Sequence, residues 1–159
     1  MMKESSLKAW LILAIGKKLL SVDALIHKLG SVAHGFPQEI SFHFEGSIPG
    51  RLFCDSDGAS IGLSVEPLTE CDMQEYGAQV IASMSDDACF SNVINKTLSS
   101  TVLVKSSVED RVVGVGFSFD CEERLFILNL GDEIFVYRSI PSDVVESVFL
   151  VFIAVEGED

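Results

Sequence analysis

The sequence predicts an α+β domain, with N-terminal helices and a central helix packed on a mostly antiparallel sheet, and residues 1–159 forming a single domain. Three observations predict it. Apolar residues recur at helical spacing before residue 30, a capped helical face begins near residue 69, and hairpin-like alternation fills most of the remainder.

The elements follow in order. Ser5 to Leu20 repeats apolar residues at helical spacing, and Ser21-Val22-Asp23 can cap a second short helix whose Leu25, Ile26 and Leu29 share a face. Gly30 is placed to stop it, and Pro37 keeps the next segment extended. Ile40, Phe42 and Phe44 then alternate with Ser41, His43 and Glu45, the period of a half-buried strand, until Ser47-Ile48-Pro49-Gly50 breaks it. Leu52-Phe53-Cys54, the turn Asp55-Ser56-Asp57-Gly58 and the alternation of Ile61, Leu63 and Val65 predict a hairpin, because Asp-Gly supplies the positive φ such turns need.

Thr69-Glu70-Cys71-Asp72 is close to a capping box, and behind it Met73, Tyr76, Val80, Ile81 and Met84 predict a central helix of about three turns. A short helical piece around Cys89 to Asn95 and a strand Thr101 to Ser106 come next. Val112 to Phe119, Leu125 to Leu130 and Ile134 to Tyr137, joined by turns at Asp120-Cys121-Glu122-Glu123 and Asn129-Leu130-Gly131-Asp132, predict a three-stranded meander. Val148 to Val155 is almost continuously apolar and rich in β-branched residues, and reads as a central strand or, as the second choice, a buried helix.

Charge narrows the function. The chain carries a net charge of −13, and it is unevenly spread: residues 1–30 are net positive, whereas residues 31–159 hold 22 carboxylates against six Lys or Arg. Such a surface repels phosphate backbones and anionic lipid, so neither nucleic acid nor a membrane is the expected partner. The apolar run Ala9 to Gly16 is too short to span a bilayer and is followed by Lys17-Lys18 rather than a cleavage site, so a buried helix face and a cytoplasmic protein are expected. Cys54, Cys71, Cys89 and Cys121 have no metal-site or redox spacing and are expected to be reduced thiols.

Motifs for chemistry fail one by one. Asp55-Ser56-Asp57-Gly58 starts like a calcium loop and Glu66 stands twelfth, but Ala59 and Ser60 replace the fifth-position ligand and the sixth-position glycine, so a tight turn is expected. Gly114-Val115-Gly116 lacks the third glycine and the following helix of a dinucleotide fingerprint; a bulge or a close backbone approach explains it better. His27, His34 and His43 share no metal-binding spacing. No catalytic residue, cofactor or metal is predicted.

The acidic clusters remain: Glu66, Glu70, Asp72 and Glu75, then Asp86 and Asp87, then Asp120, Glu122 and Glu123, with Asp132 and Glu133 in the next turn. A fixed concentration of negative charge suits capture of a basic protein, with Tyr76, Phe90 and Tyr137 as candidate anchors. The expected binding surface is Glu66, Glu70, Asp72, Glu75, Tyr76, Asp86, Asp87, Asp120, Glu122 and Glu123.

The stretch Val112-Val113-Gly114-Val115-Gly116-Phe117-Ser118-Phe119, followed by Leu125 to Val136 with its Asn129-Leu130-Gly131-Asp132-Glu133, resembles the strand-turn-strand ending of small bacterial immunity proteins. In that family the genes lie beside those of polymorphic or contact-dependent growth-inhibition toxins. The resemblance implies a cytosolic inhibitor that occludes the active site of a cognate toxin, often a basic nuclease. Two other classes compete: a dimeric secretion chaperone for an effector, and a small enzyme, which would need a cysteine and a histidine in one cleft.

Overall fold

The computed structural model describes residues 2–30 and 32–155, with side chains described for 6–30, 32 and 37–155. Among them the elements are α1 (Met2–Ala14), β1 (Leu19–Leu29), β2 (Val32–Phe44), β3 (Gly50–Cys54), β4 (Ile61–Ser64), β5 (Cys71–Asp72), a 3₁₀ turn (Gln74–Tyr76), β6 (Ala78–Ser83), β7 (Leu98–Ser106), β8 (Arg111–Phe119), β9 (Arg124–Asn129), β10 (Ile134–Tyr137), α2 (Ser142–Val148) and β11 (Leu150–Val155). Two antiparallel sheets result, one in the order β4-β3-β2-β1-β6-β5 and one in the order β10-β9-β8-β7-β11. The protein is therefore mostly β, and the helix-rich α+β expectation is corrected.

Only the first of the expected front helices forms. In α1, Leu7, Trp10, Leu11 and Ala14 recur at the spacing of one helical face and are buried, while Leu13 is exposed; Gly16, at φ +87°, ends the run before Leu20. The second expected helix is β1. Its apolar residues mimic a helical face because a bulge between Leu19 and Ser21 interrupts the alternation, yet Leu19, Val22 and Ala24 are all buried and β1 pairs with β2 on one side and β6 on the other. Two ladders of main-chain hydrogen bonds outweigh a weak local preference.

The central helix is likewise absent. Gly77 sits at φ +98°, and a Cβ there would lie 2.2 Å from the Lys28 carbonyl oxygen, so the chain turns sharply and runs back as β6. The Cys89 to Asn95 segment is a series of turns rather than a helix, held by hydrogen bonds from Phe90 and Ser91 N–H to the Asp87 carbonyl oxygen. The final strand is β11, but it forms an edge rather than the centre of its sheet, and α2 precedes it.

The hairpins stand as expected. β3 and β4 pair through the 55–60 turn, and β8, β9 and β10 form the meander. Asp57 makes the tight turn work: its carboxylate accepts from the Ser60 hydroxyl and from the N–H groups of Ala59 and Ser60. Those bonds, with Arg111 at 2.9 Å, hold its carboxyl well below the usual range. Gly114 and Gly116 do permit close approach. A Cβ on Gly114 would lie 2.4 Å from the Ile127 carbonyl oxygen, and a β7–β8 bulge lies beside it.

One apolar core joins both sheets and α1. Phe42 and Phe44 from β2, Trp10 from α1 and Phe119 from β8 all contact the Phe117 ring, with centroids 5.1–6.5 Å apart. Trp10 is seated further by its indole N–H, which donates to the Ile48 carbonyl oxygen at 2.9 Å, and by Gly50, which leaves room for the ring. A second, smaller cluster lies between the other face of the β7–β11 sheet and α2, from Val104, Val113, Leu128 and Leu150 with Val144, Val145 and Val148.

Candidate functional site

The main cleft begins with an irregularity in β2. Between the pairs Leu25↔Glu39 and His27↔His34, a two-residue step on β1 opposes a five-residue step on β2, so β2 arches away around Pro37, which has no N–H to give to a ladder. The side chain of His34 lies outside the described residues. The arch, the β9–β10 turn and the β5–β6 connection enclose a cleft of about 680 Å³. Its walls are His27, Pro37, Gln38, Glu39, Phe53, Cys54, Met73, Asp132, Glu133 and Ile134.

Asn129 holds this turn in place. Buried at the end of β9, it donates from Nδ2 to the Ser60 carbonyl oxygen at 2.9 Å and accepts from the Asp132 N–H at 2.9 Å, tying the β9–β10 turn to the β3–β4 turn of the other sheet. Asn129→Ala removes both bonds, although the Ser60 carbonyl oxygen keeps the Asp55 N–H. The expected loss is about 1–3 kcal/mol, read as a lower urea midpoint with faster amide exchange confined to residues 129–133.

Cys54 reports the potential inside the cleft. Burial first, then the charges of Asp132, Glu133 and Glu39, push its thiol up to about 11. Three carboxylates from two distant chain segments thus act on one point. At pH 8 Cys54 is protonated and its alkylation is expected to run about a hundredfold slower than that of an ordinary thiol, the rate rising with pH toward 11. Removing the Asp132 and Glu133 charges speeds it; a rate indifferent to their removal contradicts a negative cleft. His27 shares the cleft, and its Nε2 lies 2.7 Å from the Tyr76 carbonyl oxygen. A protonated thiol is a poor nucleophile.

The expected acidic surface divides between two ends. β1 begins beside Lys96 and Thr97 and finishes opposite Ala78. At its finishing end, next to the cleft, stand Asp72, Glu75 and the exposed Tyr76. At its starting end stand Asp86 and Asp87, reached through the Met84 N–H bond to the Val22 carbonyl oxygen, and Asp120, Glu122 and Glu123, whose turn is tied to Thr97. Glu66 and Glu70 lie on the segment that crosses the outer face of the first sheet, over Ser21, Asp23, Ser41 and His43. The ten residues are not one face.

Cations decide which end is anionic. Lys17, Lys18, Lys96, Arg124 and Arg138 mingle with the acids at the starting end, and Arg138 donates to the Ala88 carbonyl oxygen beside Asp87. At the cleft end Lys28 stands opposite Ala78, and the arginines are already engaged: Arg51 with Glu39 at 2.7 Å and Arg111 with Asp57 at 2.9 Å. Among the described residues no cation lies within ion-pair distance of Asp72, Glu75, Asp132 or Glu133.

Several expected contact residues carry structural duties instead. Glu70 accepts from the Ile81 N–H at 2.8 Å on the β5 side of β6, beyond the two residues that β5 pairs, Asp72 accepts from the Gln74 N–H, and Asp87 accepts from the Cys89 N–H. Phe90 is buried in the core, and Tyr137 stacks on Phe135 beside the α2 cluster. Of the candidate anchors only Tyr76 is free to meet a partner, with 69% of its surface exposed. Glu39, Asp132 and Glu133, which build the cleft wall, are absent from the expected contact set. Acid-rich turn composition pointed to the last two, and nothing in the sequence pointed to Glu39.

The cysteines form no disulfide, and the described residues contain no group of three metal-binding side chains and no helix long and apolar enough to cross a membrane. Comparison with protein-family models, curated proteins and solved structures gives no match.

Proposed function

We propose that this protein is an immunity protein: a non-catalytic cytoplasmic inhibitor that binds a basic, nuclease-like toxin and covers its active site with the acidic cleft. The observation that carries the reading is the pair Asp132 and Glu133, neither held by a cation among the described residues, in the wall of a cleft that also offers Phe53 and Met73, with Asp72 and Glu75 on the connection that brings Met73 to it. The carboxylates stand where substrate phosphates would meet the toxin's basic groups, and the apolar wall with Tyr76 seals the contact. Exposed ion pairs give only about 0–1 kcal/mol each, so the charge acts chiefly on the rate and choice of encounter. Cys54 is not poised as a nucleophile, which further favours binding over catalysis.

The test is co-expression with the basic C-terminal domain of a large secreted protein encoded beside this gene. Co-purification and rescue of growth are expected, with Glu75→Lys plus Glu133→Lys losing the rescue while the domain stays folded. A full rescue by that variant overturns the cleft as the contact. The alternative, a dimeric secretion chaperone, needs an exposed apolar groove for an unfolded client, and the main cleft sets Glu39, Asp132 and Glu133 among its apolar side chains.

A further inference from the structure

The two sheets have four edges, and three are blunted. β5 is two residues long and is preceded by Glu70, whose side chain occupies the Ile81 N–H; β4 is four residues long and the chain leaves it across the sheet; β10 is four residues long and is followed by Arg138. β11 differs on each count. Its six residues pair with β7 without a register shift, contain no charge, proline or bulge, and no described strand pairs with its outer side. Val151, Phe152 and Ile153 are 47, 45 and 39% exposed, and Phe149 before them is 63% exposed. A long, flat, apolar edge of this kind is a template for strand pairing.

We propose that β11 is the seam of a two-fold symmetric dimer of this chain, in which β11 pairs antiparallel with β11 of a second copy and joins two five-stranded sheets into one. Charge selects the occupant. Every copy carries −13, so two copies repel wherever acids face one another, and Phe149–Val155 is an uncharged run that lets them meet without that cost. A basic partner, by contrast, is drawn to carboxylates, which this edge lacks.

Symmetry also restricts the register, and an axis at Phe152 centres it on the exposed run Val151 to Ile153. Directly opposed residues must lie on the same face of the sheet, so a two-fold axis at Phe152 sets Phe152 against Phe152 on the face that carries the Phe126–Phe152 ring contact, and Val151 against Ile153 on the other. The cleft's Asp132, Glu133 and Ile134 belong to the opposite edge, by β10, so both clefts stay open in the dimer. The proposal is independent of what the cleft binds.

Sedimentation equilibrium of the full chain across a concentration series tests it. A species of twice the 17.3 kDa chain mass is expected. Val151→Lys, at an exposed side chain, should weaken it at least tenfold with an unchanged circular dichroism spectrum, since it adds a charge to the seam. Val151→Lys combined with Ile153→Glu should restore the dimer, because the introduced charges face each other across the axis. A monomer at every concentration overturns the proposal and leaves the edge to a foreign strand or to none. A dimer indifferent to Val151→Lys, or not restored by the paired change, overturns the seam or its register.

Discussion

Phe117→Ala is expected to destabilise the protein by about 3–5 kcal/mol, a large share of the roughly 5–15 kcal/mol that holds a domain of this size. The ring is fully buried and touches Trp10, Phe42, Phe44 and Phe119, so it is the place where α1, the first sheet and the second sheet meet. Truncation leaves a cavity among rigid aromatic rings that cannot collapse to fill it. The measurement is the urea midpoint, which should fall while the slope of the transition stays the same. A loss below 1 kcal/mol would mean the two sheets do not share this core. Leu13→Ala is the control, since Leu13 is 61% exposed and outside that core.

The second large effect concerns binding. Glu75→Lys with Glu133→Lys should slow association with a basic partner by about 10- to 1000-fold at low salt, the range over which steering fields act. Both side chains are exposed and neither side chain makes a hydrogen bond that the fold needs, so the variant keeps its stability. Asp132 is a poorer site for lysine. It lies at φ +68°, where Asp and Asn are tolerated and lysine is strained, so its charge is better removed as Asp132→Asn. Dissociation should change less than association. Equal association rates for the variant and the unmodified protein, at low salt, would place the contact elsewhere.

The strands from Arg111 to Tyr137 were legible because each lies within one local window: alternating apolar residues, then turn residues, then alternation again. β1 was not. Its bulge leaves Leu19, Val22, Leu25, Ile26 and Leu29 at intervals that satisfy a helix, and only its two distant partner strands reveal the pleat. Gly77 was a visible signal against the central helix, since a glycine in the middle of such a pattern more readily marks a reversal.

The candidate site was legible in kind and not in place. Composition announced an acidic protein, but the cleft joins Glu39 to Asp132 and Glu133 through an arch in β2 that no periodicity encodes. The sequence also holds no hint that Lys17, Lys18 and Lys96 gather near Asp120, whereas Lys28 is the one lysine beside Ala78 at the cleft end among the described residues.

Titration of the isotope-labelled protein with a lysine-rich peptide, followed by amide chemical shifts at low and high salt, tests the anionic cleft most directly. Shifts should concentrate at Glu39, Met73–Tyr76 and Asn129–Glu133 and fade as salt is raised. Shifts centred on Asp86–Asp87 and Asp120–Glu123, or spread evenly over the surface, would contradict a cleft that gathers the negative potential of this protein.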